Sequence, residues 1–251
     1  MKETDKPSPL PEQHVGGGGG SSAPFESWIA ALDRLLGARF ARAATACLFA
    51  SAVACSIVLL ESAWGERRRQ TYLIFNLFLA WLPLLFAWTC VRLSEKGRDH
   101  TFGFWVSALC WLLFLPNAPY IFTDLVHLMG RSLPHYWPDM MKIVLFALTG
   151  FTVGMLSLEM MHQLVERRWG WWRGWFFAGG VSVLCAIGVY LGRFRRWNSW
   201  DALQDAKSIV RDAISLISSP WISSTTGQFA VRMAVVVFCG YVMVRMLRSG
   251  R

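Results

Sequence analysis

Six apolar stretches, each about as long as a helix that crosses a bilayer, are spaced along this 251-residue chain, and no other feature restricts its fold so severely. A hydrocarbon core near 30 Å takes about 20 apolar helical residues to cross. Hydrophobic residues make up 54% of the chain and charged residues 16%, where globular domains carry about 25% charge. The polar residues are gathered between the runs, so the solvent for most of the chain is lipid. The pattern predicts an all-α fold: a polytopic membrane helical bundle with about six transmembrane helices plus interfacial amphipathic helices. The spans read as about Ala43 to Leu60, Tyr72 to Leu93, Phe102 to Phe114 with a continuation past Pro116, Ile143 to Leu164, Trp175 to Leu191 and Phe229 to Leu247. Trp64, Trp105, Trp169, Trp171, Trp172, Trp175, Trp197 and Trp221 lie near these ends, where amphipathic rings prefer to sit.

Residues 1–24 contain Pro7, Pro9, Pro11 and the glycine run Gly16 to Gly20, a composition that cannot bury enough apolar surface to order itself. They read as a disordered tail. They do not read as a secretory signal, because no apolar core follows Lys2 and Lys6. Residues 25–42 alternate Phe25, Trp28, Leu32, Leu36 and Phe40 with charged residues at helical spacing, as expected of a juxtamembrane amphipathic helix. Residues 43–251 form the transmembrane domain, which includes an interfacial helix at about 200–218. In that helix Leu203, Ala206, Val210, Ala213 and Ile214 share one face.

The net charge of +9 comes from arginine clusters at the ends of apolar runs, which points to anionic lipid head groups rather than to nucleic acid. Lys and Arg divide twelve against eleven between the two membrane sides of a six-span arrangement. Discounting Lys207 and Arg211, in a longer connection, tilts the count toward cytoplasmic termini. Cys47, Cys55, Cys90, Cys110, Cys185 and Cys239 all fall inside apolar runs without a Cys-x-x-Cys pair, so they read as small core side chains.

Two polar segments fall on the same side of that arrangement. In the first, Pro116-Asn117-Ala118-Pro119, each proline removes a backbone donor, so the third span should stop or kink there. Broken helices at membrane depth often line a cavity, whereas the simpler expectation is a helix that ends at the interface. Beyond the break Asp124 and His127 lie three apart, on one face of a resumed helix, as candidate acid, base or metal ligand. With His135 and Asp139 they supply two imidazoles and two carboxylates, although their spacing matches no established metal motif. The second segment, Gly192 to Asp201, places Arg193, Arg195 and Arg196 among Phe194 and Trp197. Forked guanidinium donors beside interfacial rings suit phosphate oxygens or ordinary anionic lipids. Asn117, Asn198 and Asp201 complete the candidate ligand-binding set, and Asn198 also suits a helix N-cap.

Within the fourth span Glu159 and His162 are three apart, and ionisable residues at membrane depth call for a functional hypothesis, here an ion or proton path. They lie toward the opposite side from the two polar segments. The chain has no nucleophile elbow, phosphate-binding loop, zinc-protease helix or dinucleotide fingerprint, and it names no cofactor.

The stretch from Leu115 to Leu128 and the run Arg193-x-x-Arg196-Trp197-Asn198-Ser199-Trp200-Asp201 resemble the signature segments of a membrane family catalogued as domain of unknown function 1361. The resemblance covers roughly residues 70 to 248. It implies a bacterial multi-pass protein of the cytoplasmic membrane and supplies no catalytic residues. The residues themselves leave three classes open: an enzyme or binder acting on a phosphorylated lipid, a small transporter or channel, and a membrane assembly or scaffold protein.

Overall fold

The computed structural model describes residues 38–63, 70–129, 133–197, 201–218 and 225–249. All regular structure among them is helical. In chain order the elements are α1 (Ala38–Ala63), α2 (Tyr72–Glu95), α3 (Phe102–Phe114), α4 (Asn117–Tyr120) and a 3-10 helix (Ile121–Leu128). They are followed by α5 (Leu133–Trp169), α6 (Trp171–Phe194), α7 (Asp201–Gln204), α8 (Ala206–Ser218) and α9 (Thr225–Ser249). Six of the helical courses are long and apolar enough to span a membrane: α1, α2, the run Phe102–Leu128, α5, α6 and α9. The spans therefore agree with the hydropathy reading, and their ends reach farther into the interface, most of all at α5.

Residues 38–42 continue directly into α1, and the rest of the expected juxtamembrane helix lies outside the described residues. The interfacial segment is also divided. Asp205 stands between α7 and α8, where its Oδ1 accepts the Ser208 N–H at 3.2 Å. A short acidic side chain that bonds backbone ahead of it favours a cap over a helix interior, and this splits the single expected helix.

The 37-residue α5 is the centre of the bundle, with 72% of its most apolar window buried, and it packs on α1, α2, α6 and α9. In lipid, apolar side chains gain nothing by leaving solvent, so helices associate through van der Waals fit and interhelical hydrogen bonds. Small residues supply the fit: Ala41, Ala44 and Ala54 are buried along α1, and Ala80 and Ala87 along α2. Two indoles supply hydrogen bonds. Trp81 Nε1 donates to Ser51 Oγ at 3.1 Å, joining α2 to α1, and Trp111 Nε1 donates to Ser157 Oγ at 3.1 Å, joining α3 to α5. On α8, Ile209 and Ala213 dock against Ile187, Tyr190 and Ala230, whereas Val210 and Ile214 are exposed. One edge of the apolar stripe thus meets protein, and the other is left for the bilayer surface.

The helix ends define two faces. The terminal face holds the start of α1 and the end of α9, which meet where Arg248 lies 3.8 Å over the Phe40 ring. The opposite face holds the 3-10 helix, the end of α6 and α8.

Candidate functional site

The proline break is wound tightly. Pro119 has no N–H to offer Leu115, whose carbonyl instead accepts the Ala118 N–H at 3.1 Å. That leaves the Phe114 carbonyl, which the Asn117 side chain takes at 2.9 Å. The chain neither ends here nor opens: it turns through α4 and runs on as a 3-10 helix. The turn is wedged between two neighbours at points where they carry glycine. A Cβ on Gly154 of α5 would collide with Ala118, and one on Gly188 of α6 with Pro116. Backbone approach this close is open only to glycine.

This wedge brings Asp124 inside the protein, 2% exposed. Asn76 of α2 donates to its Oδ2 at 3.0 Å, and Arg193 of α6 donates to Oδ1 at 3.4 Å. His127 follows one 3-10 turn later, with Nε2 3.7 Å from Oδ1 and its side chain 50% exposed. The His127 ring meets Tyr72 edge-on at 5.9 Å, and the Arg193 guanidinium lies 6.0 Å from the Tyr120 ring centre. The two polar segments of the sequence therefore converge, and Asp124 anchors them.

Beyond Arg193 the helix closes at Arg196, which adopts φ +59, a conformation uncommon for residues other than glycine. Arg195 lies 3.6 Å from Asp212 of α8, and Trp197 Nε1 donates to the same carboxylate at 2.9 Å. Arg196 is exposed, and so is Phe194. Arg193 thus faces Asp124 and Arg195 faces Asp212, and Arg196 is the third arginine of the run. Asp201 begins α7, and Asn198 lies outside the described residues.

His135 and Asp139 do not join Asp124 and His127. Asp139 turns to Lys142 at 2.9 Å, and Lys142 also reaches Glu61 of α1 at 2.5 Å. Among the described residues no group of three His, Cys, Asp or Glu side chains is close enough to hold a metal ion. Asp139 is thus tied to the Lys142 ammonium that joins α5 to α1.

Glu159 and His162 lie toward the terminal face in a separate network. Tyr241 of α9 bridges them, its hydroxyl 2.7 Å from Glu159 Oε2 and 2.5 Å from His162 Nδ1. Arg245 donates to both Glu159 oxygens at 3.1 and 3.2 Å, and to Glu166 at 2.6 Å. Gln163 donates to Glu159 as well, at 2.7 Å. With its oxygens occupied on all sides, this carboxylate serves as a tie between α5 and α9.

Asn76, Asp212, Tyr241 and Arg245 were missed in reading the sequence. Asn76 had a usable signal, as a lone amide inside an otherwise apolar span.

The six long apolar helices define a multi-pass helical membrane protein, and Asp124, His127 and Arg193 cluster at one end of its bundle. The chain belongs to the family described as protein of unknown function (DUF1361), whose model matches residues 75–242. That range takes in Asn76, Asp124, Arg193, Glu159, His162 and Tyr241, and it stops short of Arg245. No curated protein and no solved structure matches the chain.

Proposed function

We propose that the face carrying Asp124 binds the phosphate of a membrane lipid and that His127 exchanges a proton with the bound molecule. The carrying observation is the 3.4 Å contact that joins Arg193 to buried Asp124 and so brings the arginine run beside an imidazole–carboxylate pair. The roles divide by exposure. Asp124 is too enclosed to meet a ligand and acts by orienting His127, whose Nε2 lies 3.7 Å from its Oδ1. Arg193 is neutralised by Asp124. Arg196 is exposed, and Arg195, exposed though 3.6 Å from Asp212, stands beside it; these two guanidinium forks are presented to phosphate oxygens. Left-handed backbone at Arg196 costs roughly 1–2 kcal/mol, and such strain gathers at ligand-holding positions. In this reading the protein works in a cytoplasmic membrane with both termini inside, as the arginine distribution favours.

The test is native mass spectrometry of protein extracted gently from its own membrane, wild type against Arg195→Gln with Arg196→Gln. Arg193 is left in place, because removing it would strand the Asp124 carboxylate. A phosphorylated lipid carried by the wild type and lost from the double variant is the expected result. The His127→Gln variant should keep that lipid. Identical lipid content in wild type and double variant would overturn the proposal and leave the transport and assembly readings.

A further inference from the structure

A second candidate site lies at the terminal face, in a cavity of about 910 Å³ between α3, the end of α5 and the start of α6. This volume falls within the roughly 300–1,000 Å³ typical of small-molecule sites. One wall is a single face of α3, formed by Phe104, Trp105, Ala108 and Leu109. The other is the α6 stripe Arg173, Phe176, Gly180 and Leu184. Trp111 and Phe177 stack at 5.9 Å between the walls. The Trp111–Ser157 hydrogen bond fixes that floor on α5, so the cavity is preformed. At Gly180 the wall borders open space, since a Cβ there would meet nothing within 4 Å.

We infer that this groove holds one acyl chain of an anionic phospholipid, with the lipid phosphate against Arg173. Length supports a chain from one leaflet. From Arg173 to Leu184 the α6 wall rises about 16 Å at 1.5 Å per residue, and half of a 30 Å hydrocarbon core is about 15 Å. The groove thus starts at head-group depth and ends near the bilayer centre. Its chemistry changes along that path. Asp99, His100, Arg168 and Arg173 gather at the interfacial end, and apolar side chains line the rest. Arg168 is ion-paired with Asp99. Arg173 is exposed and has no ionic partner among the described residues, so it is the cation left for a phosphate. Trp105, Leu109, Phe176 and Leu184 give the walls their apolar lining.

The site is separate from the Asp124 face, and different variants test the two. The protein is reconstituted in nanodiscs with equal amounts of phosphatidylglycerol and phosphatidylcholine, and the lipids it retains are counted by native mass spectrometry. Gly180→Phe sets a ring on the groove wall at a position where a Cβ meets nothing within 4 Å, and should retain one lipid fewer than wild type at an unchanged melting temperature. Arg173→Gln should keep the lipid count and lose about fivefold of the preference for phosphatidylglycerol, the factor expected for one cation at the surface. Arg195→Gln with Arg196→Gln should leave this lipid in place. Equal counts in wild type and Gly180→Phe would overturn the groove assignment. A lipid lost from Gly180→Phe whose head-group preference ignores Arg173→Gln would overturn the anionic assignment.

Discussion

Replacing Arg245 with Met tests whether the Glu159 network holds α9 to the bundle. Met keeps the apolar stem and removes a guanidinium that occupies both Glu159 oxygens and one Glu166 oxygen. Glu159 is 4% exposed, so its charge has no solvent to turn to. Stripping one partner from a buried ion pair costs about 3–5 kcal/mol, most of it the penalty of the stranded charge. Native stability is about 5–15 kcal/mol, so the loss should be plain in equilibrium unfolding by SDS in mixed micelles. The origin of the loss also predicts its repair. Glu159→Gln in the same chain removes the stranded charge and can still bond the Tyr241 hydroxyl, so the double variant should recover most of the stability. Tyr241→Phe alone should cost about 1.5–3 kcal/mol, as expected for a hydrogen bond to a charged group. An Arg245→Met loss below about 1 kcal/mol, or a double variant no more stable than the single, would refute a charge-based tie.

Gly188→Leu should destabilise by about 1–3 kcal/mol or more in the same assay, because the side chain must displace Pro116, and Gly154→Leu should do likewise against Ala118. Asp205 is held below the usual carboxylate range because Ser208 donates to it through its side chain and its backbone N–H. A depressed acid stabilises the fold fully above its unfolded value and loses that contribution as pH falls through the lowered folded value. The protection of amides at the start of α8, relative to their intrinsic exchange rates, should therefore fall in acid, and Asp205→Ala should abolish that change in protection. Cysteines placed at Lys96 and Arg167 should label from one side of sealed vesicles and those at Lys207 and Arg211 from the other. Labelling of all four from one side would contradict six spans.

Much of the candidate site could be read from residue types alone. Asp124 and Arg193 stood out because each interrupts or ends an apolar run, and an even count of spans between their segments puts them on one side. Their contact could not be read, since 69 positions separate them and the wedge that joins them depends on glycines in two other helices. The metal option at His135 and Asp139 rests on residue types, which say nothing of the pairing of Asp139 with Lys142. Glu159 and His162 were conspicuous as ionisable groups in a span, and yet their partners come from the last helix, about 80 residues on. The lipid groove had no sequence signal, because the residues that line it look like any lipid-facing helix.

The sequence by itself determined the solvent, the secondary structure and the number of crossings. Hydrocarbon leaves a backbone no partner but itself, so run length and apolar content are enough to specify a helix that spans. Tertiary structure decided which polar groups meet and where the bundle leaves a gap. In lipid no general hydrophobic force draws helices together, so their arrangement depends on local fit: glycine against proline at Gly188 and Pro116, indole against hydroxyl at Trp111 and Ser157, guanidinium against carboxylate at Arg245 and Glu159. Such fits are properties of pairs, and a linear chain does not display its pairs.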